Sequence, residues 1–192
     1  MKIGAALLCA GLSKRMGERD KLEIAVGGVE MYRHCANLVS GLPFYRRIAV
    51  VSQNGVRPQG CEHIVNEAPE RGIASSVSLA VRALGDCDAI MFFVCDQPNL
   101  RLETARKLIE RFQARGKITV PCANGRRGNP CVFPKRFFDE LAQLVGDVGG
   151  RAVIKRHEDE VELAEVDERE LFDIDTAEDL DENEKIVRGD SV

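Results

Sequence analysis

Apolar residues along the chain fall into two rhythms, short unbroken runs and stripes at helical spacing, and the two alternate from end to end. Residues 2–9 (KIGAALLC) are apolar almost throughout, which suits a strand covered on both faces of a parallel sheet. A short strand or turn over residues 24–26 precedes Gly27 and Gly28. Met31, Cys35, Leu38 and Val39 then recur at helical spacing within residues 29–42, and Gly41 and Pro43 close that helix. Strands are expected over residues 47–52, 61–66 and 88–94, the last (DAIMFFV) being the clearest buried run. Ahead of it, Ser75 or Ser76 can cap a helix whose stripe is Val77, Ala80, Val81 and Leu84. Leu102, Ala105, Leu108, Ile109 and Phe112 mark the next helix, and residues 117–121 return as a strand. Residues 123–130 read as a loop, 131–133 as a brief strand, and Phe137, Phe138, Leu141 and Leu144 as a helix. Gly146 to Gly150 breaks it, a short helix follows over 151–156, and residues 161–166 alternate as an edge strand. Residues 173–180 (DIDTAEDL) end a strand and open a helix capped by Thr176. The expected organisation is one domain over residues 1–182 and a charged, frayed tail over 183–192.

Strands alternating with helices over one domain give a three-layer α/β fold. In such sheets ligands sit beyond the carboxyl ends of the strands. Residues 11–21, 96–98 and 173–175 all follow expected strand ends, so they can converge.

Bulk properties narrow the function classes. The chain has 192 residues, 44% of them hydrophobic, enough for a core without staples, and its net charge of −4 lacks the basic face of a nucleic-acid binder. No apolar run approaches the ~20 residues of a membrane span. The start, MKIGAALLCAG, mimics a signal peptide, but its run breaks at a cationic loop, and a buried first strand explains it better. Seven cysteines without a C-x-x-C pair fit reduced thiols in a cytoplasmic protein.

Candidate chemistry starts at residues 7–21, LLCAGLSKRMGERDK. Gly11 and Gly17 let a ligand approach backbone N–H groups, and Lys14, Arg15, Arg19 and Lys21 put cations beside them, the combination a triphosphate needs. The spacing is neither G-x-G-x-x-G nor G-x-x-x-x-G-K-[ST]. Asp96, directly after the strongest apolar strand, can cap the next helix or serve as a hard oxygen ligand for Mg²⁺. A second ligand can come from Asp173 or Asp175, although both also suit a turn that starts a helix. His34, His63 and His157 lack ligand spacing.

Six segments carry a resemblance: AGLSKRMG with Lys21 after it, GIASSVSLAV, Asp96-Gln97-Pro98, GRRGNPCVF, GDVGGR and DIDTAEDL, in this order over roughly residues 3–180. Together they resemble the MobA-like NTP transferases that include the molybdenum cofactor cytidylyl- and guanylyltransferases. The cytidylyl branch looks nearer, since the guanylyl branch usually has Gly where Leu12 stands and Asn where Asp173 and Asp175 stand. The resemblance implies a Rossmann-like α/β/α fold of the nucleotide-diphospho-sugar transferase kind, with a mostly parallel mixed sheet. It implies Mg²⁺-dependent transfer of CMP from CTP to the phosphate of molybdopterin, with release of pyrophosphate. Carried over by motif, Ala10, Gly11, Leu12, Ser13, Arg15, Lys21, Gly72, Ser75 and Ser76 would bind nucleotide. Arg15, Lys21 and Asp96 would be catalytic, Asp96 and Asp175 would hold the metal, and Gln97, Arg127, Gly128, Asn129 and Pro130 would face the acceptor. Asp147 and Arg151 are expected to pair as loop support. The chain departs from the pattern at Asn129, where relatives often have His, and at Glu23, where they have an apolar residue. A molybdenum hydroxylase apoenzyme is the implied recipient of the product. The rival readings are the same chemistry with GTP or another phosphorylated acceptor, and a non-catalytic carrier of the cofactor.

Overall fold

The computed structural model describes residues 1–11 and 20–188. Strand β1 (Ile3–Cys9) runs through the centre of the main sheet. A small hairpin of β2 (Ala25–Val26) and β3 (Val29–Glu30) leads into α1 (Met31–Ser40), then β4 (Arg46–Val51) and β5 (Glu62–Val65). Next come α2 (Ile73–Ala83), β6 (Ala89–Val94), α3 (Leu102–Arg115) and β7 (Ile118–Ala123). The rest is β8 (Arg126–Arg127), β9 (Cys131–Pro134), α4 (Phe138–Ala142), α5 (Arg151–Arg156), β10 (Val161–Glu165) and α6 (Ala177–Arg188).

The sheet order is β10-β7-β9-β6-β1-β4-β5, with β8 paired to β7. Among its paths, β9 runs antiparallel to β6 and β7, while β1, β4, β5 and β6 are parallel. The result is a mixed, mostly parallel sheet with helices on both faces. Alternation along β1 explains its all-apolar sequence. Ile3, Ala5, Leu7 and Cys9 enter a core shared with α1 and α3, and Ala6 enters a second core shared with α2, α4 and α5. Strand β6 divides its side chains the same way, with Met91 and Phe93 on one face and Ile90 and Phe92 on the other. A strand buried on both faces has no polar side to show.

Register places the site. Leu8 pairs with Val94, so β1 and β6 end level and deliver Ala10 and Asp96 side by side at the carboxyl edge of the sheet.

Four sequence expectations change, the first being the 123–130 loop, in which Arg126 and Arg127 form β8 against β7. The helix expected to be capped by Ser75 or Ser76 starts earlier, at Ile73, with Gly72 as its N-cap residue. Gly72 has φ +81°, and a Cβ there would lie 2.5 Å from the backbone of Gly146. That close approach, with Ala74 N–H donating to Gly146 O at 3.2 Å, docks the 144–150 loop on the start of α2. No strand runs directly into residues 173–176; after β10 a 3-10 turn over Glu168–Leu171 leads into them. The expected frayed tail is helical as far as Arg188, and the buried Asn183 accepts a hydrogen bond from Asn99 Nδ2 at 2.6 Å.

Candidate active site

The carboxyl edge of β1 and β6 opens into a cleft of about 580 Å³. Lys21 reaches into it from a 3-10 turn, Lys21–Glu23, whose start is fixed by Leu22 N–H donating to Asp20 Oδ1 at 3.1 Å. Its Nζ lies 2.7 Å from Asp96 Oδ2 and 2.7 Å from Asp175 Oδ1. Burial pulls the Lys21 pKa down, but the charge of Asp96 and the hydrogen bonds to both carboxylates outweigh it and hold the pKa above the ordinary lysine value.

The segment bearing Asp175 is held beside Asp96 by backbone and side chain alike. Ile174 N–H donates to Asp96 O at 3.0 Å. Gln97 Nε2 donates to Asp173 Oδ1 at 2.8 Å. The start of α6 is capped by Thr176 and Asp179. Asp179 N–H donates to Thr176 Oγ1 at 3.2 Å, and Asp179 Oδ2 accepts from Asp175 and Thr176 N–H at 2.8 and 2.7 Å. Helix-start service therefore falls to Thr176 and Asp179, and the carboxylates of Asp173 and Asp175 turn toward Gln97 and Lys21. Asp173 is exposed on its outer side, but desolvation of its carboxyl where it lines the second hollow and the charge of Asp96 push it up to about 6, against the hydrogen bond from Gln97.

A divalent cation fits this donor set. Asp96 Oδ1 is buried and has no hydrogen-bond partner among the described residues, an oxygen left over for a ligand. Its other oxygen and one from Asp175 already converge on a single cation, the Lys21 ammonium. Hard carboxylate oxygens few in number are the protein's usual share of a Mg²⁺ site completed by phosphates and water. Among the described residues, no group of three or more His, Cys, Asp or Glu side chains is arranged around a common metal position.

Ala10, Gly11, Gly72 and Ser76 line the cleft as well. Ser75 does not; its hydroxyl donates to Gly72 O at 2.8 Å and accepts from Asn66 Nδ2 at 2.8 Å. Leu12, Ser13 and Arg15 lie outside the described residues. Gln97, Arg127, Gly128 and Asn129 line a second hollow of about 940 Å³, which shares Leu8, Ile73 and Val94 with the cleft. Pro130 is buried and is not part of its lining. Arg127 is engaged, its guanidinium forked onto Glu158 at 2.8 and 2.6 Å.

Asp147 and Arg151 do not pair: Asp147 faces the cleft and Arg151 the second hollow, on either side of the 146–150 loop. That loop is the partition between the two spaces. Asn66 was not expected from the sequence. It is buried at the end of β5, and its amide reaches Ser75 and Ser76 at 2.8 and 3.0 Å, tying β5 to α2. Its only sequence signal is a polar residue closing a short strand. The three histidines bond to Val26 O, Pro58 O and the Glu140 carboxylate, and none bonds to Asp96, Asp173 or Asp175.

Residues 5–161 match the family described as the MobA-like NTP transferase domain. The molybdenum cofactor guanylyltransferase of Histophilus somni (strain 2336) is 29% identical over 134 residues, which span 67% of this chain and 66% of that protein. Among solved structures, Rv0371c from Mycobacterium tuberculosis H37Rv superposes with a TM-score of 0.84 at 24% identity, covering 95% of this chain and 97% of that one. The complex of Rv0371C with manganese superposes at 0.80 and 22% identity, covering 95% and 98%.

Proposed function

This chain belongs to the MobA-like NTP transferase family, and from that premise we propose that it transfers a nucleoside monophosphate from an NTP to the phosphate of a molybdopterin-type acceptor, releasing pyrophosphate. One observation carries the reading: Lys21, Asp96 and Asp175 meet at a cleft that shares a wall with a second hollow. Both volumes lie within the ~300–1,000 Å³ of small-ligand sites. Two reactants held in adjoining spaces is what in-line transfer between two phosphates requires.

In this mechanism the triphosphate lies over the backbone at Ala10 and Gly11, with Arg15 forking onto its β- and γ-oxygens. Lys21 leaves the carboxylates for the α-phosphate and offsets the charge that builds there. Asp96 and Asp175 would hold Mg²⁺, which neutralises the triphosphate and the departing pyrophosphate. Gly72 and Ser76 bound the side of the cleft assigned to base and ribose. The acceptor enters the second hollow past Gln97, Gly128 and Asn129, and Arg127 exchanges Glu158 for an acceptor anion. A passive carrier has no use for a lysine poised between two carboxylates, which favours an enzyme.

We assign CTP as the nucleotide, on Leu12, Asp173 and Asp175. A second reading, GTP, is favoured by the guanylyltransferase name of the Histophilus somni relative. The test is pyrophosphate release with each of the four NTPs, with and without molybdopterin. Release that needs the acceptor and is fastest with CTP supports the first reading, and release fastest with GTP supports the second. No release from any NTP overturns both.

A further inference from the structure

Three thiols meet behind the cleft. Cys9 ends β1, Cys95 follows β6 and Cys35 lies on α1, all within one buried core. Cys9 and Cys95 stand one register step beyond the paired Leu8 and Val94, on neighbouring parallel strands. Their sulfurs are 3.1 Å apart, closer than two unbonded sulfurs usually pack. Adjacent strands lie about 4.8 Å apart, inside the roughly 4.4–6.8 Å of Cα separation that a disulfide spans. Bonding the two sulfurs therefore needs side-chain rotation and little backbone movement. Neither thiol has a role in the transfer proposed above.

We propose that Cys9 and Cys95 are a modification site, an intramolecular disulfide formed by small hydroperoxides. One thiol attacks the peroxide O–O bond and becomes a sulfenic acid, and the peroxide leaves as an alcohol, or as water from hydrogen peroxide. The second thiol then displaces the sulfenic oxygen as water and closes the S–S bond. Two thiols lose two electrons and two protons, and the peroxide takes up both. Both residues are buried, at 1% and 2% exposure, and Cys95 borders the cleft, which is the side from which a small hydroperoxide approaches the pair. The other cysteines are spread over other elements: Cys61 before β5, Cys87 before β6, Cys122 in β7 and Cys131 in β9. Cys35 also reaches Cys95, but from a helix, whereas Cys9 and Cys95 are neighbours in register on adjacent strands, so the Cys9–Cys95 link is the expected main product. It joins the residue before Asp96 to the residue before Ala10, the two strand ends that frame the cleft.

The experiment treats the folded, full-length protein with hydrogen peroxide, blocks remaining thiols by alkylation under denaturing conditions, and maps the peptides by mass. The expected result is a Cys9 peptide joined to the Cys95 peptide, two hydrogens lighter than their sum and separated by dithiothreitol. Cys9→Ser abolishes the link, and Cys35→Ser, which removes the third thiol and leaves the pair, retains it. Free thiols at both positions after oxidation, a link of either to another cysteine as the main product, or a link seen only in unfolded protein overturns the proposal.

Discussion

Lys21 Nζ lies 2.7 Å from Asp96 Oδ2, an ion pair across 75 residues of sequence that closes the floor of the cleft. Each partner is fixed by a different device: Lys21 by the Asp20-capped turn, Asp96 by the end of β6 and the backbone bond from Ile174. The side chains are mostly shielded from water, at 15% and 21% exposure, so the charges act at lower effective dielectric than at the surface.

Asp96→Asn keeps the shape and removes one charge from the place where metal and triphosphate would meet. Turnover is expected to fall about 100-fold or more, since losing one charge-stabilising element costs roughly 3 kcal/mol in the transition state. Steady-state pyrophosphate release at saturating Mg²⁺ measures it. Near-normal turnover would remove Asp96 from the chemistry.

Lys21→Met removes the cation that Asp96 and Asp175 share. The metal-free variant is expected to melt below the wild type, because two carboxylates are left facing each other. Mn²⁺ or Mg²⁺ should then raise its melting temperature more than that of the wild type, where metal competes with the ammonium. Equal shifts in thermal melts of the two proteins would mean that the cation does not bind between these carboxylates.

Asp173 gives a pH dependence with a defined sign. Its folded pKa, about 6, is raised, so the protonated form is the one the fold favours. That contribution is complete below the ordinary carboxylate range and is lost as pH rises through about 6. Asp173→Asn still accepts from Gln97 Nε2 but carries no charge. It is expected to be more stable than wild type above pH 6 and to lose that advantage by pH 4. Solvent on the open side of the residue keeps the gain under about 1 kcal/mol. Melting temperatures across this range in EDTA measure it, and an advantage that grows toward low pH would reverse the assignment.

Gly72→Ala meets both a positive φ and the Gly146 backbone 2.5 Å away. A destabilisation of about 1–3 kcal/mol is expected, with a raised KM for nucleotide because the partition loop must shift. Denaturant unfolding and nucleotide kinetics check the two parts separately. A variant as stable as wild type would show that the loop is not seated on α2 as described.

The parts of this molecule legible in sequence were those whose signal is local and apolar. Strands β1 and β6 read correctly because burial on both faces leaves only apolar residues in a row. The start of α2 read wrongly because Ser75 and Ser76 satisfy the composition of a cap, while the real determinants are the φ of Gly72 and its contact with Gly146. Asn66 was silent because its partners lie nine and ten residues away, set by folding rather than by any periodicity. Asp173 and Asp175 were ambiguous for a similar reason. Thr176 and Asp179 complete the helix start without them, which sequence spacing alone does not reveal.

The most direct measurement is the anomalous scattering of Mn²⁺ in crystals of the protein grown with a non-hydrolysable CTP analogue. The account predicts a manganese peak bonded to Asp96 and Asp175, with Lys21 drawn off the carboxylates onto the triphosphate. A Lys21 bridge left intact, with nucleotide and metal bound elsewhere on the molecule, would contradict it.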